Sequence, residues 1–188
     1  PNLCKKLAQK VGLQNRLRKT SNKCMLNKLY LTTIQPRIDY AISVWGYCPE
    51  NYKEHIRRLQ HRAARIVCNN FDYVNVRGHD LMSQLRWQTI EQRRDYFTAT
   101  LMHRCINGEA PVRLTNELVM TANAHNFHTR AAINGNVKVP KPHTELFRNS
   151  FKYRGPMLWN SLPPELKNIS NIDVFKNVYK KIYFNNTG

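Results

Sequence analysis

The sequence predicts a mainly α-helical chain, and three observations carry that reading. Residues 52–68 place Tyr52, Ile56, Leu59, Ala63 and Ile66 at alternating spacings of four and three, the period of one helix face. Thr89 and Gln92 stand three apart ahead of an apolar run, where a hydroxyl and an amide can each satisfy an orphan backbone N–H. Pro36, Pro49, Asn107-Gly108 and Pro163-Pro164 punctuate the chain at intervals suited to short helices. The expected architecture is a helical bundle over residues 1–70, then a smaller helical C-terminal region with irregular loops over 71–188.

Leu3, Leu7, Val11 and Leu17 recur at near-helical spacing, which predicts a helix over 2–18 weakened at Gly12. Ser21 is placed to cap a second helix through Leu26, Leu29, Tyr30 and Ile34, ending before Pro36. Pro36 suits a first helical position, after which Ile38, Ala41, Ile42 and Trp45 fall on one face as far as Gly46. The clear helix over 52–68 follows. Residues 69–79 read as a loop, and the main boundary is placed there. Asp80 is a candidate cap for a short helix through Leu81, Met82 and Leu85. The helix opened by Thr89 and Gln92 turns Ile90, Phe97, Leu101, Met102 and Cys105 inward and stops at Asn107-Gly108. Pro111 opens a short helix to about Val119. Residues 121–144 are irregular, with Val137-Lys138-Val139 as a short strand. Phe147, Phe151 and Trp159 mark a packed, partly helical stretch. Ser170 with Asp173 predicts a final capped helix with Ile172, Phe175, Val178, Tyr179 and Ile182 inward.

Charge narrows the partner. The 188 residues hold 30 Lys plus Arg against 12 Asp plus Glu, a formal charge of +18. So much positive charge repels itself, and a polyanion relieves it; nucleic acid leads, because a row of phosphates rewards many weak cationic contacts. The alternative is a solubilising surface. The charge is uneven: residues 1–65 are net +11, 66–110 are neutral and 111–188 are net +7. A hydrophobic content of 41% is enough for a core and argues against whole-chain disorder. No run approaches the ~18 apolar residues of a membrane span, so no membrane is expected. The odd, widely spaced cysteines, Cys4, Cys24, Cys48, Cys68 and Cys105, favour reduced thiols and a nuclear or cytoplasmic setting. The opening Pro1-Asn2-Leu3, without Met, reads as part of a longer chain.

The sequence lacks a phosphate-binding glycine loop and a His-Glu-x-x-His motif. Nor does any close carboxylate pair offer to clamp the two metals of polymerase or nuclease chemistry. No catalytic residue, cofactor site or metal site is therefore expected in this chain; His125 and His128 read as polar loop residues, and Trp45, Trp87 and Trp159 as core. The positive signal is a row of arginines. Arg58, Arg62 and Arg65 recur at i, i+4 and i+7, beside the apolar stripe and within about 10 Å of rise, and their guanidinium forks suit phosphate oxygens. Lys53 and Arg57 widen that footprint. Lys5, Lys6, Lys10, Arg16, Arg18 and Lys19 form a second basic set. A solvated helix face is the competing reading for each.

Certain words of the sequence carry more. Leu29-Tyr30 and Ile34-Gln35-Pro36-Arg37-Ile38-Asp39-Tyr40-Ala41-Ile42-Ser43-Val44-Trp45-Gly46 are followed by Leu59-Gln60-His61-Arg62-Ala63-Ala64-Arg65-Ile66-Val67. Leu85-Arg86-Trp87-Gln88-Thr89-Ile90-Glu91-Gln92-Arg93-Arg94, Ile106-Asn107-Gly108-Glu109-Ala110-Pro111, Ser150-Phe151, Gly155-Pro156-Met157-Leu158-Trp159-Asn160-Ser161-Leu162-Pro163 and Phe175-Lys176 come after them. In this order, over most of the chain, they resemble the thumb and post-thumb region of jockey-like non-long-terminal-repeat retrotransposon reverse transcriptases. The resemblance implies a non-catalytic C-terminal part of an RNA-directed DNA polymerase. Its partners would be RNA or DNA as a template–primer duplex, and an upstream polymerase domain. The family's catalytic aspartates and their Mg²⁺ belong to a palm that no position here matches. The thumb grips the duplex, and Arg58, Arg62 and Arg65 match that place. The family's occasional C-terminal zinc knuckle has no ligands here. The alternative is a domesticated or degenerate remnant acting as a protein-interaction helical module, with its apolar surface in 66–110.

Overall fold

A computed structural model of the chain describes residues 2–121 and 134–184. His125 and His128 lie outside the described residues. In chain order the helices are α1 (Asn2–Leu17), α2 (Lys23–Leu29), α3 (Gln35–Asp39), α4 (Ile42–Trp45), α5 (Glu50–Cys68) and α6 (Gly78–Gln84). Then come α7 (Ile90–Ile106), α8 (Val112–Thr115), α9 (Glu145–Arg148), α10 (Phe151–Ser161), α11 (Pro164–Lys167) and α12 (Ile172–Tyr183). The protein is mainly helical, with no strand among the described residues. The expected strand at 137–139 is only an isolated antiparallel bridge between Met120 and Val137. None of the described helices is long and apolar enough to cross a membrane.

The chain divides into two compact units. The first takes in residues 2–41 and 48–93, and the second 42–47, 94–121 and 134–184. Residues 71–93, assigned from the sequence to the C-terminal region, thus pack with the first unit, because α6 closes against α5.

In the first unit α5 is the spine, and α1, α2 and α6 pack against it. Leu7 and Val11 of α1, Leu26 of α2, and Ile56, Ala63 and Ile66 of α5 are all buried. Gly12 in mid-helix costs about 1 kcal/mol against alanine. Burying Leu7 and Val11 returns roughly 1.5–3 kcal/mol each, so α1 holds its helix through Gly12. Tyr52, the first member of the expected stripe, is instead half-exposed at the open end of α5.

Two local expectations are corrected. Asn22, not Ser21, caps α2: its side-chain oxygen accepts from the Met25 N–H at 2.9 Å. The chain also does not stop before Pro36. Residues Tyr30–Ile34 form a π-helical turn that leads directly into α3, with Pro36 in the first turn of α3. The wider turn frees carbonyls, and the hydroxyls of Thr32 and Thr33 donate to Lys28 and Leu29 oxygens at 2.8 and 2.7 Å. The single face expected from Ile38 to Trp45 is broken at Ala41, whose φ is +52°. Ile38 closes the first unit and Ile42 opens a segment of the second.

The second unit has its core where α7, α10, α11 and α12 bring together Ala99, Met102, Trp159, Leu166, Phe175 and Tyr179. The Thr89–Gln92 box ahead of α7 is reciprocal: Gln92 N–H donates to Thr89 Oγ1 at 3.2 Å and Thr89 N–H to Gln92 Oε1 at 2.9 Å. Gly108 ends α7 with φ +73°. The helix opened by Pro111 is only the single turn of α8. At α12 the cap is Asn171, whose oxygen accepts from Asp173 and Val174 N–H groups, and not Ser170.

Candidate nucleic-acid interface

The arginine row on α5 does not form a ladder. Arg65 is turned inward and only 5% exposed. Its guanidinium donates to the carbonyls of Asp72 at 2.8 Å and Val76 at 2.6 Å, and lies 4.2 Å from the centroid of the Tyr73 ring. It holds the loop at 69–77 to the spine. Arg57 is taken up by carboxylates: Glu50 at 2.8 Å, Glu54 at 2.6 Å and Glu91 at 2.8 Å. Lys53 pairs with Glu50 at 2.7 Å. Arg58 is exposed and bonds Glu54 at 3.0 Å. Of the five cations expected on this helix, Arg62 alone is exposed and without a carboxylate partner among the described residues.

The expectation failed for a physical reason. Glu54 sits one turn before Arg57 and Arg58, and Glu50 one turn before Lys53 and two before Arg57; i, i+3 and i, i+4 pairs meet on a helix. Bonds from Lys53 and then Arg57 hold the Glu50 carboxyl down at about 2, and Arg57 and Arg58 lower Glu54 in the same way. The helix thus neutralises much of its own charge.

The second set has a different environment. Residues 1–38 contain nine Lys or Arg and no Asp or Glu; the first carboxylate is Asp39. Lys5, Lys6, Arg16 and Lys19 are exposed, and Lys10 is half-buried. None of these has an ion-pair partner among the described residues. At 100° per residue, Lys5, Lys6, Lys10 and Arg16 occupy an arc of about 140° over roughly 16 Å of α1. Leu7, Val11 and Gln14 are buried on the opposite side. Arg18 lies over the Phe71 ring, 4.5 Å from its centroid. Arg18, Lys19 and Lys23, with Ser21, line a recess of about 430 Å³ that reaches Cys68 and Asn69 at the end of α5. Lys23 belongs to this cluster and was not singled out from the sequence; its signal was the absence of any acid before residue 39.

Several residues of the words that carried the resemblance are interior. Tyr30 and Trp87 stack with centroids 3.5 Å apart. Gln60 donates to the Tyr30 hydroxyl at 3.0 Å, Trp87 Nε1–H donates to Asn27 at 2.9 Å, and Arg93 forks onto Asp39. Burial pushes the Tyr30 phenol far above its ordinary range, so it stays protonated. Trp87 and Trp159 are core, as expected, while Trp45 is half-buried. Cys105 is buried, as its apolar neighbours predict. Among the described residues no cluster of three or more His, Cys, Asp or Glu could hold a metal ion. Within 66–110 the exposed large apolar residues are Phe71, Tyr73 and Val74, all in the loop after α5. No protein-family model, curated protein or solved structure matches the chain.

Proposed function

We propose that this chain is a non-catalytic, C-terminal part of a retroelement RNA-directed DNA polymerase, and that its first unit binds template–primer nucleic acid. The observation that supports it is the run of cations on α1 and the α1–α2 turn. Among the described residues Lys5, Lys6, Lys10, Arg16 and Lys19 face no carboxylate, unlike Lys53 and Arg57 on α5. Unpaired cations spread along a helix have no ion pair to break on meeting phosphates, whereas paired ones must first give one up. The recess of Arg18, Lys19 and Lys23 then continues that track around the end of α5. Contacts of this kind position a sugar-phosphate strand without reading its sequence.

The test is equilibrium binding of a duplex at several salt concentrations. Affinity should fall linearly on a log–log plot, with a slope near −0.7 to −0.9 per phosphate neutralised. Changing Lys5, Lys6, Arg16 and Lys19 together to Glu should remove most of the affinity and flatten the slope, while Arg57→Gln should leave the slope unchanged. Affinity indifferent to salt, or a quadruple variant that binds like the parent, sinks the reading. Capture of an acidic protein that survives nuclease treatment would support the protein-interaction module instead.

A further inference from the structure

We propose that the recess between α5 and the loop that follows it is a seat for one unpaired nucleobase, with Tyr73 as the stacking face. This rests on the nucleic-acid reading above and adds to it a distinction between flipped or single-stranded bases and continuous duplex. The recess measures about 340 Å³ and is lined by Arg58, His61, Arg62, Arg65, Tyr73 and Gly78. That is the lower end of the ~300–1,000 Å³ typical of small organic ligands.

The ring is placed in advance. Arg65 covers one side of Tyr73 at 4.2 Å, yet Tyr73 remains 68% exposed, which leaves surface for a second planar group. The backbone around it is held on both sides. Arg65 bonds the carbonyls of Asp72 and Val76, and the Asp72 carboxylate accepts from the N–H groups of Val74 and Asn75 and from the Asn75 amide at 2.9–3.0 Å. Little order remains to be imposed when a ligand arrives. The floor is closed where Gly78 abuts His61; a Cβ on Gly78 would lie 2.5 Å from the His61 ring.

The charges at the recess suit a nucleotide. Arg62 is exposed and unpaired with any carboxylate among the described residues, and Arg58, one turn away, has only the solvent-facing Glu54. Exposed pairs of that kind are weak, so a phosphate can replace the carboxylate. Burial lowers the pKa of His61, which adds no charge near neutral pH. A phosphate alone would need only the two arginines. An aromatic face fixed beside them fits the base that the phosphate carries, since every base has a π-face.

The test uses the full chain and two single strands with equal numbers of phosphates, oligothymidylate and an abasic strand, read by fluorescence anisotropy. The intact chain should prefer oligothymidylate by roughly ten-fold. Tyr73→Ala should remove that preference without changing the salt slope, and Tyr73→Phe should restore it. Arg58→Gln with Arg62→Gln should weaken both strands alike. Equal affinity of the intact chain for the two strands, or a preference that persists in Tyr73→Ala, overturns the seat while leaving the phosphate track on α1 standing. Absence of salt-dependent binding to either strand overturns both.

Discussion

Arg65 lies on the same helix as Arg58 and Arg62, and periodicity alone puts all three beside the apolar stripe. Whether such a residue faces water depends on what the chain lays over it afterwards. Here the loop at 69–77 folds back, and its carbonyls from Asp72 and Val76 find in Arg65 a fork with two parallel donors. Removing the fork strands those carbonyls and the Tyr73 ring together. Arg65→Met should therefore lower stability by about 2–4 kcal/mol in urea unfolding. Arg65→Lys should recover only part of this, because one ammonium cannot serve both carbonyls with the same geometry. A loss below 0.5 kcal/mol would show that the loop does not depend on Arg65. Charge reversal at Arg65 would confound folding with binding, so it is no test of an interface. By contrast, Arg62 can be altered at the surface.

Helix ends show what local sequence can and cannot specify. Thr89 and Gln92 were legible because both halves of the box are local and reciprocal. Ser21 and Ser170 were plausible caps by residue type, yet Asn22 and Asn171, one position later, take the role. Serine and asparagine cap about equally well, so the choice passes to the frame in which the helix packs. At α12 that frame is set by Phe175 and Tyr179 entering the core of the second unit. Asn171→Ala should cost about 1 kcal/mol in a thermal melt, while Ser170→Ala should stay within about 0.5 kcal/mol. A reversed order would restore serine as the cap. The π-helical turn at Tyr30–Ile34 had no such signature; it lets Tyr30, Ile34 and Ile38 all enter the core across Pro36.

Over the whole chain, 12 carboxylates stand against 30 cations, so each acid that loses its charge matters. Glu50 is held down at about 2 and Glu54 is lowered by its arginines. Burial works to raise Glu91, but its own backbone N–H and Arg57 outweigh it. These folded values lie below the ~4.3 of an unfolded glutamate. The stability they contribute is thus present above about pH 4.3 and lost as pH falls towards 2. The urea midpoint should drop over that window as net positive charge mounts, and Glu50→Gln with Glu54→Gln should shallow the drop. A flat midpoint between pH 5 and 2.5 would rule out the α5 carboxylate network as a contributor. Because Glu50 and Glu54 face solvent, added salt should weaken the effect.

The sequence by itself determined the helical class, the apolar seam of α5, the box at Thr89 and the basic excess towards the N-terminus. All of these depend on spacing along one chain or on composition, which need no partner element. Only the tertiary structure decided which cations remain open. Lys5, Lys6 and Arg16 stay in water because no acid lies near them in sequence and, among the described residues, folding pairs none with them. Arg57 and Arg65 are consumed by Glu91 and by the 69–77 loop, groups more than a helical turn away that only the closed fold carries into reach.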